Sequence, residues 1–510
     1  MLQATWRERT LASLLLVALV VIAFWTAVTE VYGATDDFDF YAKVLLDGRR
    51  CRDILLPEGR LLLGIIYDTV ALVVDSFEDT RLFRVIFVVG ACGSAVALCQ
   101  IAVPRLGLFA GGAVAGLFVM SPAVLDLAAL QPSAACTVGS ALALVGFLAF
   151  SAARRHDQRR ARLALRVVAL CALAVSAAIY QTASFVWFIG VAVELVAPNL
   201  PGGPPDQRPL MRTAAATGFF AASMAAYAAV FLVLLPHLLG GGTARRVELT
   251  TSLTAKGAWF MFLPLRDALV GPYFSVADPQ AAMLSPLHRG EVPAELLWNA
   301  ITDPSTWAAL GVLIGIIVGL WSRAGGTPRH RLQVVTLGLA LLPLSYGANL
   351  AIGEMWSSFR TQLALGGVVA VFLVVAVEQL LVRITSPAVT RVALCGLVAA
   401  AFLLTAAQQR AWTSGPLGCE WQTTRAEVAA ASSATALVVV PMRAVDTTAP
   451  GLRYDLGWPA SAKWWGPVPM VRVARQSLAL PDIPIEVTTR EQLPATLPAG
   501  AMVLWLGCRP

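Results

Sequence analysis

Apolar residues along this chain come in long unbroken runs, not in the alternating or one-faced patterns of a water-soluble protein. A run of about twenty such residues is the length of helix that crosses a hydrocarbon layer. Runs of this kind predict about eleven helices, near 10–32, 82–103, 106–121, 133–152, 166–181, 182–197, 213–238, 305–322, 332–348, 361–382 and 392–408. Two connections, 33–80 and 240–304, are far longer than helix connections in a bundle ordinarily are. Within the first, the stretch 60–75 is apolar but interrupted by Asp68 and Asp75. That pattern predicts an amphipathic helix lying in the outer interface, with a twelfth span as the competing reading. The second carries Trp259, Phe260, Phe262, Tyr273, Phe274 and Trp298, residues suited to anchoring in a headgroup layer. Past Ala411 the pattern becomes that of a soluble domain, with a helix over 421–433 and strands over 436–440, 483–488 and 502–506. The expected fold is therefore an all-α polytopic membrane domain over 1–410, followed by a small α/β domain over 411–510 outside the membrane.

Composition agrees, since a chain 57% hydrophobic and 14% charged cannot clothe its apolar surface in polar groups. The net charge of +7 would suggest nucleic acid as a partner of a soluble protein, but here its distribution decides otherwise. Alternating the spans from a cytoplasmic N-terminus puts Arg105 and the arginines of 154–166, 198–212, 323–331 and 383–391 inside. The acids there are only Glu8, Asp157, Glu194, Asp206 and Glu378, as the positive-inside bias requires. A multi-pass protein of a bacterial-type inner membrane follows, with its terminal domain on the periplasmic side and no nucleic-acid partner. The first apolar run, with Gly33 and Ala34 after it, also reads as a signal peptide. Its length exceeds a signal core of about 7 to 15 residues and favours an uncleaved helix. Eight cysteines form no C-x-x-C pair, and His156, His237, His288 and His330 are scattered, so no metal-ligand set is expected. Cys419 and Cys508 bracket the terminal domain and are expected to form a disulfide in an oxidising compartment.

Candidate chemistry begins where the first helix emerges, at Asp36, Asp37 and Asp39. Carboxylates this close repel one another, which raises a pKa and leaves a usable base; the plainer reading is that they cap the next helix. Lys43, then Glu58-Gly59-Arg60, follow before the interfacial stretch. Further along stand Ser121-Pro122 after the third span and Tyr180-Gln181 at the outer end of the fifth. An acidic pair at the end of the first span, a Gly-Arg some twenty residues on and a surface helix together resemble the first outer loop of the GT-C glycosyltransferases. Within these the chain is most similar to the GtrII-like glucosyltransferase family.

That resemblance implies a polyprenyl-phosphate sugar as donor, inverting displacement at the anomeric carbon, and a glycan or lipid-linked acceptor on the outer face. Asp36, Asp37 and Asp39 would then carry the catalysis. An anionic donor at headgroup depth calls for cations, and Arg60, Arg360 and Lys43 are the candidates for its phosphate; a snorkelling anchor is the alternative for Arg360. Tyr180, Gln181, Lys256, Arg266 and His288 are weaker candidates for substrate contact. The sequence departs from the family at Arg49-Arg50-Cys51-Arg52, where an aromatic residue is common, and this leaves the sugar open. No cofactor is assigned, and a divalent cation stays open because carboxylates at a glycosyl site serve either as base or as ligands. A glycan ligase or flippase is the nearer rival function. A secondary transporter is more distant, because the charges sit at helix ends and the outer loops are long.

Overall fold

The computed structural model describes residues 6–197, 209–238, 253–270, 302–352, 359–441, 460–462, 466–494 and 496–506. Each of the expected spans is a helix. Among the described residues eight helices are long and apolar enough to cross a membrane: Phe77–Leu106, Leu108–Ala129, Gln131–Ala153, Arg159–Ile179, Pro209–Leu234, Pro304–Ala324, Phe359–Ile384 and Pro387–Ala430. The other three expected spans fall on Trp6–Ala23 and Pro328–Ser345, which carry arginines in their first turns, and on the shorter apolar stretch Gln181–Val196. Helices suit this setting because they satisfy their own backbone polar groups where water is absent. Close packing relies on small residues: a Cβ at Gly90 would stand 2.3 Å from the Val138 nitrogen.

Charges gather at the two ends of this bundle. At one end Arg105 and Arg154 both pair with Glu194, and Arg323 pairs with Glu378 at 3.3 Å while donating to the Val196 carbonyl. These are residues that the alternation of spans assigns to the inner side. Asp36, Arg60, Tyr180 and Arg360 come together at the opposite end.

The interfacial stretch is the helix Leu61–Ala71. At 1.5 Å per residue its eleven residues reach about 16 Å, too short to cross, which removes the twelfth span. Leu63, Gly64 and Tyr67 face the protein. Asp68, which breaks the apolar run, accepts the Cys51 backbone N–H at 2.6 Å. In the second long connection Trp259 and Phe260 are buried against the Tyr346 ring, at 6.0 and 5.7 Å, so they belong to the core and not to a headgroup anchor. Tyr273, Phe274 and Trp298 lie outside the described residues.

No break separates the last membrane helix from the terminal domain. Helix Pro387–Gln408 runs through a π turn, Gln409–Ser414, into helix Gly415–Ala430, and the boundary expected near 410 falls inside this rod. Beyond it β1 (Ala436–Val440), β2 (Ile485–Val487) and β3 (Ala501–Trp505) form a parallel sheet in the order β2-β1-β3. Leu437 stands opposite Ile485 on one side and Met502 on the other. Being central, β1 is the most buried strand, which explains its unbroken run of Val and Leu. Helix Pro467–Ser477 precedes β2 and packs on the outer loops, Arg472 reaching Asp47 at 2.9 Å. Trp421 adds an aromatic contact, its ring lying 4.5 Å from Phe77 and 5.4 Å from Phe38.

Candidate functional site

After the first membrane helix the chain passes through the short helix Trp25–Thr29, extends, and re-enters a helix at Thr35–Tyr41. Ala34 sits at the N-cap and offers no side-chain acceptor, and Asp37, at the third helical position, reaches back to the N-cap backbone. Its Oδ2 accepts the Ala34 N–H at 2.9 Å and its Oδ1 accepts the Gln131 N–H at 2.8 Å. Arg84 stands 3.7 Å away, donates to the Tyr32 carbonyl and lies over the Tyr32 ring. Asp37 is 1% exposed. Burial pushes its pKa up to about 7 against the pull of Arg84 and the two backbone donors.

Asp36, one residue earlier, points elsewhere. Its carboxylate is 35% exposed and lies 3.6 Å from the Arg360 guanidinium. Arg360 is held from behind, its backbone N–H donating to Asp126 Oδ2 at 2.9 Å. Asp126 is fully buried on helix Pro122–Ala129, which Ser121-Pro122 opens. That helix leads directly into Gln131, the Asp37 partner, so one segment ties down both sides of the Asp36–Arg360 pair. Asp39 forms a surface pair with Lys43 at 2.5 Å.

Arg60 is set by the turn before it. Gly59 adopts φ +73, and its carbonyl accepts the Tyr227 hydroxyl at 2.8 Å. Gln181 donates to the Glu58 carbonyl at 2.7 Å and to the Tyr227 hydroxyl at 3.0 Å. The Tyr180-Gln181 pair sits at an extended break where helix Arg159–Ile179 ends. Arg60 pairs with Glu58 at 2.8 Å and lies over the Tyr180 ring at 4.4 Å. Burial acts to lower the Arg60 pKa, but Tyr180 and Glu58 outweigh it and hold it above its ordinary value; Arg360 opposes them. Burial likewise keeps the Tyr180 hydroxyl above its usual range, against Arg60 and Arg360 both. Arg60 and Arg360 thus both act on Tyr180, with Glu58 paired to the first and Asp36 to the second, at the end of the bundle opposite Glu194 and Glu378. Such an arrangement can hold an anion beside a proton acceptor.

Other expected contacts fall differently. Lys256 is buried with its ammonium 4.3 Å from the Trp259 ring centroid, and Arg266 pairs with Asp267 and with Asp303, the N-cap of helix Pro304–Ala324. His288 and Cys508 lie outside the described residues. Cys419 takes part in a disulfide. Among the described residues no group of three or more His, Cys, Asp or Glu is placed to hold a metal ion. The sequence named Glu58 only as the residue before Gly59-Arg60, and did not single out Arg84, Asp126, Gln131 or Tyr227. Asp126 and Arg84 did carry a signal, an ionisable residue inside an apolar run.

No family model matches the chain, and no curated protein does. Two solved structures are similar in part. One is an oligosaccharyltransferase of Archaeoglobus fulgidus tethered to an acceptor peptide containing the NVT sequon, at 13% identity and TM-score 0.42, covering 82% of this chain and 57% of that one. The other is the arabinofuranosyltransferase AftD from Mycobacteria, at 15% identity and TM-score 0.37, covering 95% of this chain and 32% of that one. The chain spans little more than half the length of the first and about a third of the second. Likeness at this level assigns neither family nor activity.

Proposed function

We propose that the chain is a membrane glycosyltransferase that takes its sugar from a polyprenyl-phosphate donor and transfers it with inversion to a glycan or lipid-linked acceptor on the outer face. The observation that carries this reading is that Arg60, lying over the Tyr180 ring, and Arg360, paired with Asp36, both act on the Tyr180 hydroxyl. Two guanidinium groups acting on one buried tyrosine repel each other, and a bound phosphate relieves that repulsion. The donor phosphate competes with Asp36 for Arg360 and so frees the carboxylate to act. The acceptor oxygen attacks the anomeric carbon, its proton passes to Asp36, and the bond from that carbon to the phosphate oxygen breaks. Polyprenyl phosphate leaves with the electron pair, and being a stable anion held by Arg60 and Arg360 it needs no acid. Asp37 acts through position, fixing the turn that presents Asp36, and Asp39 with Lys43 flanks the entrance.

The test is a panel of radiolabelled polyprenyl-phosphate sugars incubated with membranes containing the protein, because a flippase or transporter moves such donors without consuming them. Asp36→Asn is expected to lose roughly 10² to 10⁴ in single-turnover rate while still binding donor. Arg60→Ala and Arg360→Ala should each weaken donor binding by about 1.5 to 3 kcal/mol, the loss of a charge-assisted hydrogen bond. Undiminished transfer by Asp36→Asn would sink the mechanism; unchanged donor affinity in both arginine variants would sink the phosphate site.

A further inference from the structure

We infer that the seam between the first and last membrane helices binds an anionic lipid-linked saccharide, at a place separate from the Asp36–Arg360 pair. Two grooves lie along this seam. The lower, about 430 Å³, is walled by Val21, Ile22 and Trp25 on one side and by Ala406, Ala407 and Arg410 on the other. The upper, about 530 Å³, lies between Glu30 and Glu78 on one side and Ser414, Trp421 and Gln422 on the other. They follow each other along both walls, since 30–31 comes just after 21–26, and 414–425 just after 406–410.

Chemistry changes along the seam in the order in which such an amphiphile is built. The lower walls are apolar. Arg410 stands at the top of that groove, exposed, its guanidinium making no hydrogen bond or ion pair among the described residues. Trp25, 59% exposed beside it, marks the depth at which aromatic side chains meet headgroups. Above Arg410 the lining gains two carboxylates, an amide and a hydroxyl beside Val31, Cys419 and Trp421. Ser414 is 3% exposed and its hydroxyl has no hydrogen-bond partner, although it lines the upper groove. A buried hydroxyl without a partner is unfavourable and gains from a ligand that supplies one.

A hydrocarbon chain, a phosphate at Arg410 and a neutral polyhydroxyl head satisfy all three zones. Glu30 lies in the upper groove and repels a second anion, whereas it accepts sugar hydroxyls. Glu78 is already matched by Arg425 at 3.0 Å. The wall from Ser414 to Arg425, with polar groups at both ends and Trp421 between, rises about 16 Å along its helix, more than a phospholipid headgroup occupies. None of Asp36, Arg60, Tyr180 and Arg360 lines the seam, so it can be filled while a donor is bound elsewhere. Calling the occupant the acceptor rests on the transferase reading; binding to the seam does not.

The experiment uses the full chain in phosphatidylcholine nanodiscs with a photoreactive polyprenyl phosphate bearing a short oligosaccharide. Competitors are phosphatidylglycerol, the same polyprenyl phosphate without sugar, and the free oligosaccharide. Crosslinks are expected in 21–31 and 406–422, with Arg410→Gln weakening affinity about tenfold and Ala407→Trp abolishing labelling at unchanged thermal stability. Competition by phosphatidylglycerol as strong as by the probe itself means a bulk-lipid groove only and overturns the inference. So does unchanged affinity in Arg410→Gln. Labelling of the seam in a protein that consumes no donor sugar would reject the transferase reading and leave the seam standing; transfer with an unlabelled seam would reject the seam alone.

Discussion

Asp36 and Asp37 are neighbours in sequence and differ in everything else. Successive residues on a helix point about 100° apart, so one of the two faces Arg360 and solvent and the other the core. Which one faces inward is decided by Gln131, 94 residues away, and by Arg84, and no local pattern contains that information. The cluster of acids was legible as a special place; the division of labour within it was not. Its consequence is measurable through pH. The folded protein binds the Asp37 proton more tightly than the unfolded chain does, whose aspartates titrate near 3.9. The stability linked to that proton is therefore fully present below about pH 4 and is lost as pH rises through about 7. Thermal melts of the wild type should fall across this window by an amount worth a few kcal/mol, and Asp37→Asn should flatten that fall whatever its absolute stability. An equally steep slope in the variant would assign the dependence to another group.

At the scale of elements, the apolar runs announced the helices, and the Gly-Arg step announced where the interfacial helix starts. What they could not announce was the lock around that step. Glu58, Gly59, Gln181 and Tyr227 form a hydrogen-bonded knot joining the first outer loop to the ends of helices Arg159–Ile179 and Pro209–Tyr227. Gly59 is required twice over: its φ of +73 disfavours any side chain, and a Cβ would come within 2.4 Å of Leu232 and 2.9 Å of both Gln181 and Tyr227. Gly59→Ala is expected to lower stability by about 1 to 2 kcal/mol from the backbone alone. Because Arg60 is the next residue, donor titration should show weakened binding as well. Wild-type donor affinity in a destabilised Gly59→Ala protein would mean that Arg60 does not depend on the turn.

For the whole molecule, hydrophobic run length gave the bundle, and strand-like segments gave a small parallel sheet whose order and register only tertiary contacts fix. The expected pairing of Cys419 with Cys508 would tie the end of the chain to helix Gly415–Ala430. Both thiols should then resist alkylation in non-reduced protein, and Cys419→Ser should cost on the order of 4 kcal/mol for a loop of this length. Quantitative alkylation of Cys508 in folded protein would exclude the pairing. The 44-residue rod Pro387–Ala430 has a further consequence. At 1.5 Å per residue it measures about 66 Å, roughly twice the hydrocarbon thickness it crosses. The surplus works as a ruler standing on the bilayer: it sets the height of the sheet above the lipid, and with the far end of the rod held at its own surface a thinner membrane raises that mark and a thicker one lowers it for whatever glycan must fit beneath.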